Sequence, residues 1–225
     1  GLRAVVLMTR SAGSLWDGTR HADAESALLG ALGDAEAAGA VAAELEILGM
    51  LQLAYADAGR LQHARDCESR AQALLRRNPD LRRGALHYLA LAQAAVLRAE
   101  FAAAQRHVRR TEHSPRAQAE PPLRTAIAVV GARVAMARGA LADAHQMLQR
   151  AAEPGLPLPA AVAERRALAL ADLETRFGRP NAALRLIREA ALDPRQPAVA
   201  IAAARALGAL GDAAAARSAL RPALI

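Results

Sequence analysis

Six histidines, a single cysteine and 29 basic residues, all arginine, are the side chains of this chain best suited to chemistry. His21, His63, His87, His107, His113 and His145 contain no i,i+4 pair and no HExxH, the spacing that sets two imidazoles on one helix face for zinc. His107 and His113 stand six apart, on different faces of a continuous helix. Cys67 lies among Arg65, Asp66, Glu68 and Arg70, with no His or Asn placed by spacing to activate it. No serine sits in GxSxG, and "GALG" at 30–33 follows no strand, so it is not a dinucleotide fingerprint. A chain without lysine can form neither a Schiff base nor a P-loop, whose phosphate cradle ends in lysine. Glu44 and Glu46 are too close in sequence to share a helix face as an acid/base pair. The expectation is a non-enzymatic chain with no cofactor and no metal.

The remaining chemistry is that of arginine, and its organisation is long-range. Gly59, Ala99, Gly139, Gly178 and Gly211 recur at intervals of 40, 40, 39 and 33 residues. Five residues after each stands an alanine: Ala64, Ala104, Ala144, Ala183 and Ala216. Nine residues after come Glu68, Val108, Leu148, Ile187 and Leu220. Such self-similarity is the signature of a repeat architecture. Before each turn runs an apolar helix, as in "AELEILGMLQLAYADA" (Ala43–Ala58), which the glycine ends in the left-handed conformation. After it, "RLQHARDCESRAQALLRR" carries one apolar stripe, with the alanine where the two helices come closest. Ala99 replaces the turn glycine in the second unit, so that turn either takes another geometry or strains an alanine.

Prolines at 76–80, 114–122, 153–159 and 193–197 recur at one phase and read as connectors between helix pairs. Pro122 and Pro159 suit the first turn of the helix that follows. No segment alternates with period two. The expected fold is all-α: a right-handed α-solenoid of about six helix-turn-helix units in one domain. The unit bounds read as a weak N-terminal copy at 1–39, turning at Asp17-Gly18 near Trp16, then 40–79, 80–118, 119–158, 159–195 and 196–225. First helices are expected on the concave side and second helices on the convex side. Aromatics at 2% against 53% hydrophobic residues suit thin, closely approaching helices.

Composition also bounds the partners. The net charge is +7, yet Arg76-Arg77, Arg82-Arg83, Arg109-Arg110 and Arg165-Arg166 are dispersed among acids, as solvated helix faces are. A continuous phosphate-binding stripe is the less favoured reading. One cysteine fits a reducing compartment, and no stretch reaches the roughly 18 apolar residues of a membrane span. "GLRAVVLMTR" is too short for a signal peptide, and its Gly1 reads as a mid-chain start. A cytoplasmic location is expected.

Leu48, Leu51, Tyr55, Gly59, Ala64 and Ala71 match the apolar, aromatic, turn and small-residue positions of the tetratricopeptide repeat, which this unit resembles. Gln52 and Glu68 depart from that family's usual glycine and aromatic, and the period near 40 exceeds its usual 34. "ALADLETRFGRPNAALRLIREAA" (Ala169–Ala191) and "AAARALGALGDAAAARSALRPAL" (Ala202–Leu224) look like the superhelical region of MalT-like regulators, the ATP-dependent transcription factors of the LuxR family. That resemblance implies a region binding an effector ligand or regulatory protein. DNA would then be engaged only through a module absent from this chain.

By analogy with the tetratricopeptide family, the column six before each turn faces the groove: Leu53, Gln93, Arg133, Asp172 and Arg205. Met136, Arg165 and Arg176 join it from neighbouring positions. Leu89, Val96 and Met136 make its middle apolar, and the arginines make its C-terminal half basic, suited to a carboxylate or phosphate on a peptide, protein or small effector. Pairing of these arginines with Asp172 and Glu174 is the plain structural alternative. A generic protein-binding scaffold and a basic nucleic-acid-binding solenoid remain as alternative functions, and apolar solenoid ends make a dimer through an end a further expectation.

Overall fold

A computed structural model of the chain describes residues 21–151 and 158–221. These residues form an all-α protein, with no strand among them. The helices are α1 (His21–Ala37), α2 (Val41–Asp57), α3 (Leu61–Arg77), α4 (Ala85–Leu97), α5 (Phe101–Glu112) and α6 (Pro115–Ala119). They continue with α7 (Pro121–Ala137), α8 (Leu141–Arg150), α9 (Ala160–Arg176), α10 (Pro180–Glu189), α11 (Pro197–Ala209) and α12 (Ala213–Leu220). The turn expected at Asp17-Gly18, with Trp16, lies outside the described residues; of the copy at 1–39 the structure describes α1 onward.

Short turns couple α2 to α3, α4 to α5, α7 to α8, α9 to α10 and α11 to α12. At each, the residue after the turn position donates its N–H to a carbonyl five residues back: Arg60 to Tyr55 at 2.8 Å, Ala140 to Ala135 at 2.9 Å, Arg179 to Glu174 at 2.9 Å. This is the Schellman closure, and it requires positive φ at the turn residue. Gly59, Gly139, Gly178 and Gly211 have φ between +71° and +82°. Ala99 takes the same conformation at φ +59°, closed by Glu100 N–H on the Ala95 carbonyl at 2.8 Å. The alanine is therefore strained, and the alternative of a different turn geometry falls away.

Ala99→Gly is accordingly expected to stabilise the protein by about 1 kcal/mol, the strain relieved less the extra freedom of the unfolded chain. Gly139→Ala, whose added Cβ meets nothing within 4 Å, costs about 1–2 kcal/mol from conformation alone. Urea unfolding of the two variants checks both signs together; a gain from Gly139→Ala would contradict the strain assignment.

The two helices of a pair bury differently. In α4, nine of thirteen residues are buried, and α7 is enclosed on nearly every side. The second helices bury one stripe: Ala64, Cys67 and Ala71 in α3; Ala104, Val108 and Thr111 in α5; Ala144 and Leu148 in α8; Ala183 and Ile187 in α10. The turn-plus-five alanines are closed off, Ala104, Ala144 and Ala183 completely and Ala64 at 2% exposure. A larger side chain there would overpack the pair. Only Ala216 is half-exposed, on an α12 that buries no side chain.

The main helix contacts join a helix to its own partner or to the adjacent pair. The first helices touch in succession, α2 to α4, α4 to α7, α7 to α9 and α9 to α11, while α5, α8 and α10 also rest on the first helix of the next pair. The proline segment 114–122 is more than a connector. Ser114 caps α6 through an Oγ that accepts the Ala117 N–H at 3.1 Å, Pro115 opens it, and Ala117 is buried. Pro121 and Pro122 occupy the first turn of α7, whereas Pro159 stands one residue ahead of α9, at its N-cap.

Candidate functional site

Two neighbouring pairs of the column six before each turn touch across successive first helices, and Met136 and Arg176 from adjacent positions link the helices between them. Arg133 of α7 donates Nη1–H to Oε1 of Gln93 on α4 at 3.1 Å. Asp172 of α9 takes Arg205 of α11 on Oδ1 at 3.3 Å and Arg176 of its own helix on Oδ2 at 3.1 Å. Arg176 also reaches back to the Met136 carbonyl of α7 at 3.3 Å. These contacts link residues 40, 33 and 40 positions apart, so one polar ladder runs over α4, α7, α9 and α11.

Along that ladder, exposure rises toward the C-terminal side. Leu53, Gln93 and Met136 are buried at 5%, 6% and 3% exposure, so in this conformation they pack and position. Arg133, Arg165 and Asp172 are half-buried, and Arg176 and Arg205 are exposed. The guanidiniums of Arg176 and Arg205 share one carboxylate; Glu174 instead pairs with Arg179 at 2.7 Å. Two cations on one anion leave net positive charge at an accessible edge, the arrangement that accepts an incoming carboxylate or phosphate.

A second polar group, unanticipated from spacing, joins α3 to the segment leading into α4 and lies beside the contact of α4 with α2. Glu68 occupies the turn-plus-nine position, where the other units carry Val108, Leu148 and Ile187. It forms a forked pair with Arg83, Nη2 to Oε1 at 2.8 Å and Nη1 to Oε2 at 2.9 Å, both side chains 17% exposed. Burial alone would raise the Glu68 carboxyl, but hydrogen bonds from Arg83 and Gln72 outweigh it and hold the carboxyl below its ordinary range. His87, 2% exposed, fills a position held by Ile47, Ile127 and Val199 in three other units and by Arg166 in the fourth. Its ring lies against Gly49, where an added Cβ would come within 2.7 Å of Nδ1. Nε2 of His87 and Oε1 of Gln52 have no protein partner. Burial pushes the imidazole down to about 4, with Glu68 pulling upward and Arg83 downward.

The segment 114–122 contributes another long-range tie. Arg116 of α6 pairs with Glu120 at 2.7 Å and with Glu46 of α2 at 3.3 Å. Tyr55 packs: it is 7% exposed, its hydroxyl donates to Glu25 at 3.1 Å, and the Arg60 guanidinium lies over its ring at 4.8 Å. Cys67 is buried, and burial pushes its thiol up to about 11, so the thiolate needed for nucleophilic attack is scarce at neutral pH.

Among the described residues, no group of three His, Cys, Asp or Glu side chains could hold a metal ion, and no helix is long and apolar enough to cross a membrane. No protein-family model, curated protein or solved structure matches the chain.

Proposed function

We propose that this chain is a non-catalytic sensor or interaction domain, a right-handed α-solenoid of about six tetratricopeptide-like units with its first helices lining a concave groove. In this reading the groove takes an effector ligand or regulatory protein on behalf of a MalT-like regulator of the LuxR family, and a separate module engages DNA. The observation that carries the proposal is the ladder of polar contacts between first helices, Gln93 with Arg133 from α4 to α7, and Met136 through Arg176 and Asp172 to Arg205 from α7 to α11. The nearest-neighbour pattern of helix contacts supports it, since repeat arrays bury each unit against the next and leave a long continuous face for binding.

The test is a thermal-shift panel of anionic ligands on the whole chain: dicarboxylates, sugar phosphates and short acidic peptides. At least one is expected to raise the melting temperature, because a ligand present at a hundredfold excess over its Kd stabilises by about 2.7 kcal/mol. A panel without a shift counts against the groove reading. A duplex DNA titration at two salt concentrations is expected to give only weak, salt-sensitive binding; tight binding would favour the basic solenoid instead.

A further inference from the structure

A cleft of about 430 Å³ opens away from the arginine ladder, between α5, α7 and α8. Its origin is legible in the repeat register. Eight residues before each turn stand Leu51, Leu91, Gly131, Leu170 and Ala203, so the third unit lacks the side chain that leucine supplies in three others. Gly131 lies in the interior of α7, where glycine weakens a helix. A Cβ at this position would touch Met147 Sδ at 3.4 Å and Val108 Cγ1 at 3.5 Å, so Gly131 lets these two side chains close over α7, and all three line the cleft floor. Val134 and Ala135 extend that apolar floor, and Met147 is a flexible thioether able to fit different shapes.

The rim carries charge of both signs. Arg109 and Glu112 come from the last turn of α5; Arg138 follows α7, and Asp143 lies in the first turn of α8. All four are exposed, and none forms an ion pair among the described residues, although Arg60, Arg70, Arg83, Arg98 and Arg116 do. Arg138 is held instead by a neutral hydrogen bond to Gln105. A simple anion would meet Glu112 and Asp143, and a simple cation would meet both arginines. A molecule with an ammonium group, a carboxylate and an apolar body between them satisfies rim and floor together. The volume falls within the range of small-ligand sites, roughly 300–1,000 Å³.

We infer that this cleft binds a small apolar zwitterion, an apolar amino acid or short apolar peptide with free termini, at a site separate from the ladder. Isothermal titration of the whole chain with leucyl-leucine tests it. Saturable binding is expected, weakened roughly tenfold or more when both termini are blocked as N-acetyl-leucyl-leucinamide, since each charged hydrogen bond is then lost. Gly131→Leu fills the floor and is expected to abolish binding with helical content retained. Arg109→Ala and Glu112→Gln, on exposed side chains that leave the fold untouched, are each expected to weaken it. Arg205→Ala is expected to leave it unchanged, which separates this site from the proposed groove. No saturable binding of leucyl-leucine, equal affinity for the blocked dipeptide, or full affinity in Arg109→Ala and Glu112→Gln would overturn the inference.

Discussion

Lowering the pH from about 7.5 to about 5 is expected to cost the fold about 2 kcal/mol through His87 alone. The imidazole is buried between helices with Nε2 unpartnered, and its folded pKa is pushed down to about 4 from an ordinary 6.5. As pH falls, the unfolded chain therefore takes the proton first. The stability associated with neutral His87 is fully present above 6.5, declines below it, and is lost by 4. The full span corresponds to about 3 kcal/mol. His107, half-buried beside Tyr88 and lowered by burial and by Arg110 and Arg106, adds in the same direction. Urea unfolding of wild type and His87→Ile at the two pH values isolates the effect, since isoleucine fills the corresponding position in two other units. The variant is expected to lose about 2 kcal/mol less on acidification; equal losses would show that His87 titrates normally in the fold.

Arg83→Met is expected to destabilise the protein by about 2–4 kcal/mol at neutral pH, because it leaves the largely buried Glu68 carboxylate with Gln72 as its remaining side-chain donor. The more informative result is the recovery. Glu68→Val together with Arg83→Met replaces the pair by the residue type found at Val108 and Ile187, and most of the single-variant loss is expected to return. A double variant as unstable as Arg83→Met would mean that Arg83 acts through its alkyl packing and that the ion pair contributes little.

Both predictions arise where the repeat breaks its own rule, which bears on how much was readable beforehand. The helices, their turns and the close-packed alanines were legible because they recur: Gly59 with Ala64 and Gly139 with Ala144 carry the same local physics at the same spacing. The strain at Ala99 was legible as a choice of two geometries, and φ +59° decides it. The partners of the ladder were less so. Register places Asp172 and Arg205 in one column, but whether they touch depends on the offset between neighbouring helices, which a repeat length alone does not specify. Helix α6 was hidden by Pro115 and by the prolines that follow it, which are compatible with a loop as well as with the first turn of a helix. Glu68, His87 and Gly131 could have been found by comparing each column for residues that do not fit, since each stands where most other units carry an aliphatic side chain.

If the first-helix arginines form an anion-binding groove, removing them must weaken the binding of an anionic ligand. Isothermal titration of the best anionic ligand from the thermal-shift panel would be run on wild type, Arg133→Ala and Arg205→Ala, with far-ultraviolet circular dichroism confirming equal helical content. Each variant is expected to lose affinity roughly tenfold or more, the usual consequence of removing a hydrogen bond to a charged group. Unchanged affinity in both variants would contradict it.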